Sequence, residues 1–132
     1  MPASFFDTNI LIYLASADTA KADRAEGLIA GGGVISVQVL NEVANVARRK
    51  MHLSWEETHG LLSAIRSLLS VEALGVETHA NGLALAGRYT LSIYDAMIAA
   101  AALQAKCDTL WSEDMQDGAV LEGGLRIVNP FR

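Results

Sequence analysis

The sequence predicts an α/β fold, a three-layer α/β/α sandwich on a mainly parallel central sheet. Three observations predict it. Short apolar or β-branched runs alternate with longer segments of helical period, a pattern that places helices on both faces of a sheet. The segment Ser92–Lys106 is apolar nearly all round, as a helix in the middle of a core must be. A length of 132 residues, 52% of them hydrophobic and 19% charged, suits a single globular domain spanning 1–132 with one core.

Taken in order, Ala3–Phe6 reads as a buried strand and Asn9–Ala15 as a short helix. A second helix over Ala20–Ala30 is stopped by Gly31, Gly32 and Gly33. Val34–Val37 is a β-branched strand, and Val39–Lys50 a helix with Val39, Val43, Val46 and Ala47 on one face. Ser54-Trp-Glu-Glu57 is a capping box opening a helix to about Leu69. That helix carries Trp55, Leu61, Leu62, Ile65 and Leu69, a stripe that suits either core packing or an interface with a partner. Val71–Val76 reads as a strand. Ala80–Tyr89 reads as a helix despite Gly82 and Gly87, each costing about 1 kcal/mol relative to alanine. Thr109–Ser112 and Leu125–Val128 complete the strands.

Composition excludes several classes of protein. The longest unbroken apolar run, Ala96–Leu103, has eight residues, where a membrane span needs roughly 20. MPASFF has neither a basic n-region nor a long apolar one, so no signal peptide is expected. Cys107, the single cysteine, can make no internal disulfide and suits a reducing cytoplasm. The net charge of −5 argues against a nonspecific nucleic-acid coat but not against a nuclease, whose metal-binding carboxylates would count toward it. Arg48, Arg49 and Lys50 form the only basic cluster, read either as cations at a helix C-terminus or as a nucleic-acid contact.

Against this background four acids interrupt apolar context. Asp7 follows the first strand in SFFDTNILIYL, and a buried carboxylate without a partner is costly. Asp114 follows the strand Thr109–Ser112. Ligand sites in parallel sheets form beyond the carboxyl ends of the strands, so these two acids belong to one rim. Glu42 shares a helix face with Asn45 and Arg49, and Asp95 opens the buried helix three residues after Ser92. Each has a structural alternative: Asp7 as an N-cap, Glu42 on a solvated face, Asp95 in a Ser-x-x-Asp cap, Asp114 and Asp117 as turn residues. Together they offer oxygen ligands for a hard cation, Mg2+ or Mn2+, the arrangement used in phosphodiester hydrolysis. His52, His59 and His79 lack metal-site spacing and read as surface or helix-edge residues.

DTN after an apolar strand, Glu42 in SVQVLNEVANV, Asp95 in LSIYDAMIAAAAL and SEDMQDG after TLW together resemble a PIN domain, and within that family the VapC-type ribonuclease toxins of bacterial toxin–antitoxin pairs. The resemblance runs from Phe5 to about Gly118. It implies a magnesium or manganese pocket of Asp7, Glu42, Asp95 and Asp114, supported by Asn9 and Ser112, with Asp117 left open. It also implies an RNA substrate, a homodimer and a small antitoxin that blocks the pocket. Two other readings compete. An aspartate-nucleophile phosphatase usually has a second Asp two residues after the first, where this chain has Asn9, and a catalytically silent partner-binding domain would not need all four acids.

Overall fold

A computed structural model describes residues 3–132. Five strands, β1 (Ala3–Phe6), β2 (Val34–Ser36), β3 (Ser70–Glu72), β4 (Cys107–Trp111) and β5 (Arg126–Val128), form one sheet in the order β3-β2-β1-β4-β5. Every neighbouring pair is parallel. Six helices connect them: α1 (Thr8–Ile12), α2 (Thr19–Ile29), α3 (Val37–Arg49), α4 (Trp55–Leu68), α5 (Val76–Tyr89) and α6 (Ile93–Gln104). From β1 the chain steps outward to β2 and β3, then returns across the sheet to β4 and β5. Right-handed crossovers in opposite directions put their helices on opposite faces, which produces the three layers. The reversal leaves a crevice between the ends of β1 and β4.

The core lies on both sides of β1, whose Phe5 and Phe6 are buried together with Ile35 and Leu110 from its neighbours β2 and β4 and Ile127 from β5. From α6, Ala96 and Ala99–Ala102 are all buried, and the helix packs on β4 and β2. The apolar stripe of α4 proves to be mainly core: Ile65 and Leu69 are buried, and Leu61 and Leu62 pack against them. Trp55 stands apart from that stripe and is 63% exposed. The capping box at Ser54 is present, with Glu57 N–H donating to Ser54 Oγ at 3.0 Å and Ser54 N–H to Glu57 Oε1 at 2.9 Å. No helix among the described residues is long and apolar enough to cross a membrane.

Two elements differ most from the sequence expectation; elsewhere Val37 opens α3 instead of ending β2, Tyr13–Ala15 is a 3-10 turn after α1, and β4 begins at Cys107. The strand expected over Val71–Val76 is only Ser70–Glu72, because its partner β2 ends at Ser36, opposite Glu72, where α3 begins. Val76 instead opens α5, which starts four residues before the expected Ala80. Gly82 does not weaken that helix to no purpose: a Cβ there would lie 2.6 Å from Met97 Sδ, so its absence lets α6 pack closely.

Gly33 is under a harder constraint. Its φ is 147°, and a Cβ would meet the Phe6 ring at 2.5 Å and the Ser4 carbonyl at 2.8 Å. Gly33→Ala should therefore lower stability by about 2 kcal/mol or more, since strain adds to the clash in the central strand. Gly82→Ala should cost clearly less, because the flexible Met97 can shift and alanine favours the helix. Urea midpoints of the two variants check the order.

Candidate active site

The site is built outward from Asp7. The β1–β4 ladder extends one residue past Phe6, with Asp7 N–H donating to Trp111 O at 2.9 Å. This carries Asp7 to the mouth of the crevice while leaving it only 4% exposed. Its carboxylate is well held. Oδ1 accepts from Thr8 N–H at 2.7 Å, capping α1, and Oδ2 accepts from Ser112 Oγ–H at 2.6 Å. Ser112 is itself placed by the next ladder, its N–H donating to Val128 O at 3.0 Å, and its Oγ accepts from Met115 N–H.

Asn9 joins the two strand ends. Its amide nitrogen donates to Asp114 Oδ2 at 2.9 Å and, at 3.4 Å, to Asp7 Oδ2. Its Oδ1 accepts from Glu113 N–H at 3.1 Å, which fixes the amide orientation. Glu42 comes from the middle of α3, where Gln38 Nε2 donates both to Glu42 Oε2 at 3.0 Å and to Tyr94 O at 2.9 Å. That fork ties α3 to the start of α6. Asp95 occupies the first turn of α6, whose N-cap Ser92 accepts from Asp95 N–H at 3.1 Å. The capping readings of Asp7 and Asp95 thus hold alongside their position at the cleft. Asp7, Asn9, Glu42, Asp95 and Asp114 all line one cleft of about 340 Å³, together with Thr8, Tyr13 and Lys50.

The electrostatics follow from this crowding. Burial raises the Asp7 pKa from 3.8 to about 6; Ser112 and Thr8 oppose the rise, and the nearby charges of Asp95 and Glu42 add to it. Asp95 is also raised, chiefly by burial and further by Asp114, against the Ser92 hydrogen bond. The donor set is all oxygen and anionic, as a hard divalent cation requires. Thr8 Oγ1, buried at the same cleft, has no hydrogen-bond partner in the protein. The residues therefore fit such an ion in kind. They flank the cleft rather than close on a point: among the described residues, no three potential ligands converge into a ready-made chelate.

Other residues fall outside the cleft or were not anticipated. Asp117 does not line it; Oδ1 accepts from Asn129 N–H at 2.8 Å and ties the chain after β5 back to the loop after β4. Ser112 acts through Asp7. Sequence reasoning missed Gln38, Tyr13 and Glu113, and singled out Lys50 only as part of the basic cluster, not as a residue of this cleft. Tyr13 Oη donates to Glu113 Oε1 at 2.6 Å, and Lys21 Nζ to Glu113 Oε2 at 2.6 Å. Burial alone would raise the Glu113 pKa, but these two partners outweigh it and lower it. Cys107 is buried, and burial pushes its thiol up to about 11, so it stays protonated and inert.

An all-parallel doubly wound sheet with an acidic cleft at its switch point defines an α/β domain built to gather carboxylates. The PIN domain family model matches residues 4–116, and the chain belongs to that family. Among solved structures, it is similar to a toxin–antitoxin complex from Klebsiella pneumoniae, with 26% identity, a TM-score of 0.71, and coverage of 97% of this chain and 98% of that one. The fold is shared with VapC20 of Mycobacterium tuberculosis, a toxin that cleaves the sarcin–ricin loop, at 20% identity and a TM-score of 0.69, covering 85% and 92%. It is shared also with VapBC2 of Rickettsia felis bound to a promoter DNA fragment, at 22% identity and a TM-score of 0.63, covering 84% and 87%. Comparison with curated protein sequences gives no match.

The raised Asp7 pKa has a signed consequence for stability in chelator. Between pH 3.8 and about 6 the folded state keeps a proton that the unfolded state has released. Stability is thus full below that window, falls as pH climbs through it, and stays lower above, by up to about 3 kcal/mol. Asp7→Asn removes the charge, and asparagine caps α1 about as well. The variant should melt above the parent at pH 7 and lose that advantage near pH 4. A pH series of paired thermal melts in chelator checks the crossover; a variant less stable throughout would mark Asp7 as structural only. Asp117→Ala should cost about 1 kcal/mol through its lost hydrogen bond, while Asp117→Asn, which keeps the acceptor, should cost little.

Proposed function

We propose that this chain is a metal-dependent endoribonuclease, the toxin of a toxin–antitoxin pair acting in the cytoplasm. The observation that carries the reading is that Asp7, Glu42, Asp95 and Asp114, from four separate elements, line one cleft at the switch point of a PIN-family sheet. The Klebsiella toxin–antitoxin complex, similar over nearly the whole chain, supports the biological role.

Under this reading Asp7, Glu42, Asp95 and Asp114 hold Mg2+ or Mn2+. Such an ion, when bound, acidifies water, neutralises phosphate charge and steadies the leaving oxygen. The protein supplies the orientation. Ser112 and Thr8 hold Asp7 with its Oδ2 toward Asn9, and the Asn9 amide keeps Asp7 and Asp114 together without adding charge. Gln38 holds Glu42 toward the start of α6. Lys50 brings a cation to the rim for a phosphate of the substrate. Self-association and antitoxin binding belong to the same reading. They are supported by apolar side chains left in solvent beside the cleft, among them Ile93 and the 71% exposed Tyr94.

RNA should be cut by pure protein with Mg2+ or Mn2+, leaving 5′-phosphate ends, and spared in excess chelator. Glu42→Gln and Asp95→Asn should each lower turnover by at least about a hundredfold, the scale of losing an electrostatic catalytic group. Asp117→Asn should stay close to the parent. Cyclic 2′,3′-phosphate ends, or undiminished cleavage in chelator, would contradict the mechanism.

A further inference from the structure

The last turn of α3 bears a basic cluster of which the carboxylate cleft uses only Lys50. Arg48 and Arg49 end the helix and Lys50 follows as its C-cap, six to eight residues beyond Glu42. At the rise of an α-helix that is about 10 Å from the cleft's own acid. Lys50 lines the acidic cleft itself. Beyond it, Ala44, Asn45, Arg48, Arg49 and Trp55 line a second cavity of about 480 Å³. Both cavities are bounded by α3, through different residues of its C-terminal half.

Trp55 is the informative residue. An indole is among the costliest side chains to leave in water, yet this one is 63% exposed. It is also held in place. The Ser54 capping box pins the start of α4, and the Arg48 guanidinium lies over the ring at 4.2 Å from its centroid. Arg48 is in turn anchored by a 2.7 Å hydrogen bond from Nη1 to Leu53 O. The ring is therefore backed by a cation and presented to solvent. Complementing the helix dipole explains the positive charge of Arg48 and Arg49 but not an exposed indole beside them. Among the described residues the ion pairs are Lys21–Glu113 and Arg88–Glu122, so neither Arg49 nor Lys50 is in a direct ion pair.

We propose that Trp55, Arg48, Arg49 and Lys50 form a subsite for the single-stranded flank of an RNA substrate. One base stacks on the Trp55 ring, and the adjoining phosphates meet Arg49 and Lys50 on the way into the acidic cleft. The inference rests on the nuclease reading. It is favoured by charge: a cleft lined by carboxylates, in a chain of net charge −5, repels a polyanion, and a short cationic approach offsets that repulsion where the strand enters. It is favoured also by geometry, because an aromatic face beside cations is how single strands are held without sequence readout.

The test uses the full chain with Trp111→Phe, which leaves Trp55 as the only tryptophan, and Asp7→Asn in chelator to prevent cleavage. Oligoadenylate should quench Trp55 fluorescence on binding, and an abasic oligomer of equal length should bind without that quenching. By the anisotropy of an end-labelled oligomer, adding Trp55→Ala should weaken oligoadenylate binding about tenfold, while Trp55→Phe, which retains a stacking ring, should keep most of it. Arg49→Ala should weaken both oligomers alike and reduce the slope of log affinity against log salt by about 1. Thermal melts of each variant establish that it is folded. If the parent cleaves RNA but Trp55→Ala binds oligoadenylate as tightly as its background, the subsite is wrong and the nuclease reading stands. A Trp55→Ala effect on oligomeric state alone would also overturn it, marking a protein contact. If the parent neither binds nor cleaves RNA, the nuclease reading itself falls, and the subsite with it.

Discussion

The structure turns on one costly act, the burial of the Asp7 carboxylate at the end of the central strand. Water is replaced there by two strong donors, Thr8 N–H and the Ser112 hydroxyl, and a weaker one from Asn9. Each donor is placed by regular structure: Thr8 by the start of α1, Ser112 by the β4–β5 ladder, Asn9 by the first turn of α1. The fold therefore satisfies a charge by aligning three elements on it. The remaining acids lie progressively further out, from half-buried Glu42 and Asp95 to exposed Asp114. The cleft thus grades from a dry floor to a wet rim, and the charge repulsion is strongest where the dielectric is lowest.

Much of this was legible in the sequence because its causes are local. A polar break in an apolar strand, a Ser-Trp-Glu-Glu capping box and an apolar helix of alanines each follow from residues near one another, and each element formed where its signals stood. Asp7 and Asp114 could be placed together because strand-end position is a property of topology, not of side-chain detail. The sheet edge was less legible. Val71–Val76 has the composition of a strand, but a strand lasts only as long as its neighbour, and nothing near Val76 reveals that β2 ends at Ser36.

Long-range polar partners were not legible at all. Glu113 reads as an ordinary surface acid in SEDMQDG, yet its backbone orients Asn9 and its carboxylate gathers Tyr13 and Lys21, about a hundred residues away in sequence. Gln38 is similar: its bond to Tyr94 O bridges α3 to α6 across a gap that no periodicity encodes. The role of Asp117 stayed open in the sequence for a related reason. Its hydrogen bond to Asn129 closes the C-terminal segment, a role that becomes visible only once both loops are in place.

The alanines of α6 have a consequence for how this protein can change. Ala96 and Ala99–Ala102 let a helix pack closely on the sheet and on α5, and the same helix carries Asp95 at its first turn. Steric information in the core is thereby transmitted to the cleft as displacement of a carboxylate. One added methyl group under α6 would tilt or lift it, and the acid at its end would travel furthest. Activity in this fold can thus be tuned, or lost, by a lineage that never touches an acidic residue, simply by altering volume beneath the helix that bears one.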